Sequence, residues 1–106
     1  MLDKLKAALE ATGIPFAHFA WDRSKRPTGD FGVWAEDSAR HLYANGKVQD
    51  QTTQGTIDLF TRSDDGAGKE AIQTALKSLD VAWYLNSVQY EEDTRYIHYE
   101  WVFEVI

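Results

Sequence analysis

The sequence predicts a two-layer α+β domain: a mainly antiparallel sheet with an N-terminal helix and a second helix before a C-terminal β-hairpin. Three observations predict it. Ile97, Tyr99, Trp101, Phe103 and Val105 alternate as apolar or aromatic positions, a period of two that puts all five on one face of a strand. Two other segments carry apolar residues at helical spacing. Between them lie short strand-like runs joined by tight turns, which favours antiparallel pairing with helices on one face.

In chain order, Leu2 to Thr12 reads as a helix, with Leu2, Leu5 and Leu9 on one side and Ala8 beside them. Asp3 stands in its first turn, where the helix dipole favours an anion. Gly13 suits the left-handed position after the last turn, and Pro15 forbids continuation. Ile14 to Trp21 is apolar on both alternating sets: Ile14 and Phe16 on one, Phe19 and Trp21 on the other. Such a strand is buried on both faces, or meets another subunit with its outer face. Asp22 to Gly29 is a polar, basic loop, and Phe31 to Ala35 is a short strand, followed by a polar connection from Glu36-Asp37-Ser38. Asn45-Gly46 between His41-Leu42-Tyr43 and Lys47-Val48 predicts a tight hairpin turn. Gln49 to Gln54 then extends the hairpin into solvent, and Thr53 to Thr61 forms a strand with Ile57 and Leu59 inward.

Asp64 and Asp65 are both candidates to cap a helix running to about Leu79, whose apolar stripe is Ile72, Ala75, Leu76 and Leu79. Val81 to Tyr90 is a strand, Glu91-Glu92-Asp93-Thr94 a turn, and Arg95 to Ile106 the final strand. Its second face, Tyr96, His98, Glu100, Val102, Glu104 and Ile106, reads as mixed and largely wet.

A chain of 106 residues makes one domain spanning residues 1–106. A chain of this size buries roughly two-thirds of its unfolded surface, enough for one core. With 13% aromatic residues it has the means to order that core, and with no cysteine it has neither a disulfide framework nor a thiolate metal site. The N-terminal residues carry no signal-peptide pattern and no stretch long enough to span a membrane, so a cytosolic origin and no membrane partner are expected. Net charge is −6. The basic cluster Arg23-Ser24-Lys25-Arg26 falls short of a nucleic-acid footprint, so no sequence-specific nucleic-acid binding is expected.

The residues that carry chemistry do not assemble in the sequence. His18, His41 and His98 lie on separate elements, without the spacing of a metal site, so no metal and no cofactor are expected. Glu91, Glu92 and Asp93 read as solvated charges in a turn between strands rather than as catalytic carboxylates, which need burial or a close like charge. Glu100 and Glu104 share a strand face two steps apart, a spacing open to a carboxylate pair across a cleft, to wet-face residues, or to ion pairs with a neighbouring chain. Gly66-Ala67-Gly68-Lys69 lacks the first glycine of a phosphate loop and has Glu70 where that loop carries Ser or Thr. No serine stands in a nucleophile elbow, and the chain is not expected to be an enzyme.

Several short patterns nonetheless occur in a telling order: Thr12-Gly13-Ile14-Pro15-Phe16 with Trp21 beyond it; Gly32-Val33-Trp34 before Glu36-Asp37; and Ala44-Asn45-Gly46-Lys47-Val48. Ile57-Asp58-Leu59-Phe60-Thr61 comes next, then Asp64 and a helix with Glu70, Ile72 and Leu76, and finally Tyr99-Glu100-Trp101-Val102-Phe103-Glu104-Val105. Over nearly its whole length the chain resembles the small tail-completion, tail-terminator or head–tail joining proteins of long-tailed bacteriophages and prophages. The resemblance implies an α+β fold, no catalysis, and a ring, commonly a hexamer, at the neck or at the end of the tail tube. It also implies partners among tail-tube and neck or connector proteins, and residence in the virion after assembly in the bacterial cytoplasm. The physical expectation agrees: a ring needs a head-to-tail interface that closes, and such surfaces are rich in Trp and Tyr. An acidic channel wall also repels passing DNA. Phe16, Phe19 and Trp21, with Glu100 and Glu104, are the expected interface residues. The competing expectation is a small ligand- or peptide-binding module that offers a sheet edge for strand addition.

Overall fold

The structure, a computed structural model, describes the backbone of residues 1–44 and 47–105 and the side chains of residues 1–37 and 52–105. Two helices, α1 (Leu2–Glu10) and α2 (Ala67–Lys77), accompany five strands: β1 (Phe16–His18), β2 (Phe31–Ala44), β3 (Lys47–Thr61), β4 (Ala82–Glu91) and β5 (Tyr96–Val105). The sheet order is β1-β2-β3-β5-β4. All neighbours are antiparallel except β1 and β2, which run parallel. The α+β architecture, with a helix ahead of the C-terminal hairpin, is the one the sequence predicts.

The alternation in β5 sets the core. Trp101 and Phe103 are fully buried, and Tyr99 and Val105 nearly so. Trp34, Ile57 and Leu59 from β2 and β3 join them on the same sheet face. Leu5 and Leu9 of α1 and Ile72 and Leu76 of α2 close over this face, all at zero exposure. Trp101 also donates its indole N–H to Gln73 Oε1 at 3.2 Å, tying the sheet to α2.

Two close approaches depend on glycine. Gly32 lies beneath the Phe16 ring, and a Cβ there would stand 2.2 Å from it. Gly55 lets the Ala35 carbonyl and the Phe103 ring close over β3, and a Cβ there would fall 2.2 Å from that oxygen.

Several elements depart from expectation, each for a physical reason. Helix α1 ends at Glu10, before Thr12, because the Thr12 hydroxyl donates to the Leu9 carbonyl (2.6 Å) and Gly13 turns left-handed at φ +84°. Strand β1 is three residues long, not eight, because Phe19 takes φ +72° and turns the chain off the sheet. It pairs parallel because the connection from Phe19 to Asp30 returns the chain to the end where β1 began. Strand β2 continues through the expected polar connection at Glu36-Asp37-Ser38, with a register shift there absorbed against β3. Among the described residues, β2 and β3 outward from Arg40 and Thr52 pair only with each other, as far as Ala44 opposite Lys47. The expected tight turn at Asn45-Gly46 and the final Ile106 lie outside the described residues. Neither capping candidate is the N-cap of α2, which is the left-handed Gly66; Asp65, one residue earlier, accepts the Ala67 amide through Oδ1 at 2.9 Å and fixes the turn into the helix.

Candidate interaction surface

The sheet face turned away from the helices is not uniformly wet. Phe31, Phe60 and His98 are directly opposed across β2, β3 and β5. Their rings stack in a ladder, with centroids 4.8 and 4.2 Å apart. Tyr96 meets Phe31 and Phe60 edge-on and is 4% exposed, although it belongs to the face expected to be wet. The cover comes from far along the chain. The Tyr96 hydroxyl donates to the Thr28 and Gly29 carbonyls at 3.0 and 3.1 Å. Arg62 lies 3.8 Å over the Tyr96 ring and donates to the carbonyls of Thr28 (2.7 Å) and Thr94 (2.9 Å). These bonds clip the loop before β2 to the turn between β4 and β5.

The basic loop is therefore not simply solvated. Trp21 donates its indole N–H to the Gly32 carbonyl (2.9 Å), meets Phe31 edge-on, and holds the loop against the sheet. The Arg26 guanidinium sits 5.2 Å from the Phe31 ring centre, a cation–π contact at an exposed site. Phe31, Val33, Phe60 and Tyr96 floor an open cavity of about 330 Å³, with Trp21, Arg23 and Arg26 on one rim and Glu91 and Thr94 on the other.

Two imidazole–carboxylate pairs flank the sheet. His98 Nε2 lies 2.7 Å from Asp58 Oδ1, with Glu91 3.8 Å from its other ring nitrogen. The Asp58 hydrogen bond raises the His98 pKa above its ordinary 6.5 against partial burial, and the charges of Asp58, Glu91 and Glu100 add to the rise. His98 therefore contributes stability that is complete below about pH 6.5 and is lost as the pH rises through the raised value. Thermal melts should show wild type losing stability between about pH 6 and about pH 8.5, with His98→Gln losing distinctly less. Equal losses in the two proteins would refute the coupling. The second pair is His18 Nε2 with Glu36 Oε1 at 2.6 Å, where the His18 ring also stacks on Trp34 at 3.9 Å. Hydrogen bonding to its own backbone amide, then to His18, holds the Glu36 carboxyl below its ordinary range.

The five residues expected at an interface occupy three different settings. Phe16 packs over Gly32 against the core, so its ring is committed within the subunit. Phe19 is 60% exposed at the end of β1, and Trp21 beyond it is half-buried and hydrogen-bonded. Glu100 and Glu104 share the outer face of β5, where Glu100 Oε1 accepts from Asn86 Nδ2 at 2.7 Å. Among the described residues, the other exposed large apolar side chains of the strands, Tyr84, Val88 and Tyr90, all stand on β4. An edge position signals itself through pairing, not composition, and Val81 to Tyr90 reads in sequence as an ordinary strand.

Among the described residues no three His, Asp, Glu or Cys side chains gather as metal ligands, and no helix is long and apolar enough to cross a membrane. No protein-family model matches the sequence, and no curated protein matches it significantly.

Proposed function

We propose that this chain is a structural virion protein of a tailed bacteriophage or prophage that forms a ring at the head–tail junction or at the tail terminus. The ordered set of short motifs from Thr12 to Val105 carries the reading. Its physical support is the exposed aromatic surface: Phe19 at one side of the sheet and Tyr84 and Tyr90 at the other are 55–60% exposed. Large aromatic side chains left in water at opposite edges suit a subunit that binds copies of itself on both sides. The protein works by fit rather than by catalysis, and its partners are its own copies and the proteins of the tail tube and neck.

Molecular mass from light scattering, over a range of concentrations and with tail-tube protein added, tests this reading. A ring-sized species supports it, and a strict monomer under every condition refutes it. Phe19→Ala should leave the melting temperature nearly unchanged, since the ring is mostly exposed, while weakening assembly. Trp21→Ala should lower both, because the Trp21 indole also anchors the basic loop to Gly32. Full assembly by Phe19→Ala would clear that residue of an interface role.

The cavity on the outer face favours a second reading, a small non-enzymatic module that binds a ligand or peptide. Calorimetric titration with extended peptides that saturate this surface, on a chain that stays monomeric, would select it over the ring.

A further inference from the structure

We propose that copies of this chain join side by side and head to tail, the β4 edge of one against the β1–β2 edge of the next. The acidic turn after β4 then seats against the basic loop after β1. The proposal rests on the ring reading and names the two surfaces the ring would use.

Both edges are open. Strand β4 is ten residues long and has β5 as its one neighbour, so its outward N–H and C=O groups form a free template. On the far side β1 covers β2 only from Gly32 to Trp34. Strand direction suits the match. From β2, three successive antiparallel pairings reach β4, so β4 runs opposite to both β2 and β1. A neighbour rotated about an axis along the strands keeps its direction. Its β4 therefore comes alongside β1 and β2 antiparallel, the pairing that needs no crossover.

Charge and aromatic height fix the register. Residues 22–26 carry three cations against one carboxylate, and residues 91–95 three carboxylates against one guanidinium. The Arg62 and Tyr96 bonds to Thr28, Gly29 and Thr94 keep both segments at the same end of the sheet, and the strand order brings the basic loop in from the β1–β2 side and the acidic turn from the β4–β5 side. A side-by-side neighbour thus brings opposite charges level. Phe19 hydrogen-bonds the Trp34 carbonyl through its amide, and Trp34 aligns across the sheet with Ile57, Trp101 and Leu85. Tyr84, next to Leu85, therefore stands at the height of Phe19. It shares the outer face with its pair partner Val102, and Phe19 lines the cavity on that face. A two-fold pairing of β4 with β4 would leave both the basic loop and Phe19 unused.

The test is a charge swap among exposed residues. One variant carries Arg23→Glu and Lys25→Glu, a second carries Glu92→Lys and Asp93→Lys, and a third carries all four changes. Sedimentation of each, with the melting temperature as a check on folding, reads the outcome. Wild type should self-associate, and the first two variants should associate about tenfold more weakly or worse, since like charges then face each other. The four-site variant should recover, because its reversed edges attract again. Association of the first variant equal to wild type would overturn the edge-to-edge arrangement and leave the ring reading standing. A wild type that is monomeric alone but assembles on tail-tube protein would do the same. Failure of the four-site variant to recover, with folding intact, would also reject the charge pairing.

Discussion

Trp101→Ala should lower the stability of the domain by about 3–5 kcal/mol, the range for deleting a fully buried large aromatic side chain. Trp101 has zero exposure, lies between Ile57 on β3 and Leu85 on β4, and is covered by the helices. Truncation removes its burial, opens a cavity, and leaves Gln73 Oε1 without the indole donor. For a domain near this size each kcal/mol shifts the melting temperature by about 4–8 °C, so the variant should melt far below wild type or fail to fold. Trp101→Phe should recover part of the loss, since it restores most of the volume but not the hydrogen bond. Chemical denaturation of the three proteins is the measurement, and an unchanged midpoint for Trp101→Ala would contradict the packing described above.

Gly55→Ala is the second large effect, and it comes from adding one methyl group. The new Cβ would stand 2.2 Å from the Ala35 carbonyl oxygen and 2.5 Å from the Phe103 ring. The ring has little room to turn away, because Phe103 is itself 1% exposed. The backbone oxygen cannot move without separating β2 from β3. The expected cost is about 1–3 kcal/mol or more, typical of overpacking a closed site. The melting temperature should fall by roughly 10 °C or more on the same scale. Gly29→Ala is the control, since nothing stands near the position its Cβ would take. Equal melting temperatures for wild type and Gly55→Ala would show that the strands do not approach so closely.

The core was legible because it rests on local periodicity. The five alternating residues of β5 announce one buried face, and the stripe through Ile72 and Leu76 announces the helix that covers it. The outer face was not legible, because its cover is distant in sequence. Nothing near Tyr96 marks it as buried; the carbonyls that receive its hydroxyl belong to Thr28 and Gly29. The extent of β1 was misjudged because an apolar run does not report a left-handed residue, and Phe19 is not a type that usually adopts one. The passage of β2 through Glu36-Asp37-Ser38 reads in sequence as a connection for the opposite reason, since a strand beyond the core needs no apolar face. The strands on either side of Asn45-Gly46, by contrast, were legible from the turn signal. At the candidate surface, Phe16, Phe19 and Trp21 read alike from the sequence, and only the fold separates the exposed Phe19 from the other two. The commitment of Phe16 to the interior depends on Gly32, sixteen positions away, and only the parallel pairing brings them together.

Strand β5 follows every other strand in the chain and yet lies between β3 and β4. During synthesis on the ribosome, β3 therefore waits with one flank bare until Tyr96–Val105 emerges, and β4 has nothing to pair with before then. A nascent chain halted before that point presents two sticky flanks to chaperones and proteases rather than a half-built sheet. Insertion of β5 covers the bare flank of β3 and gives β4 its one partner, leaving only the outer edge of β4 unpaired on that side.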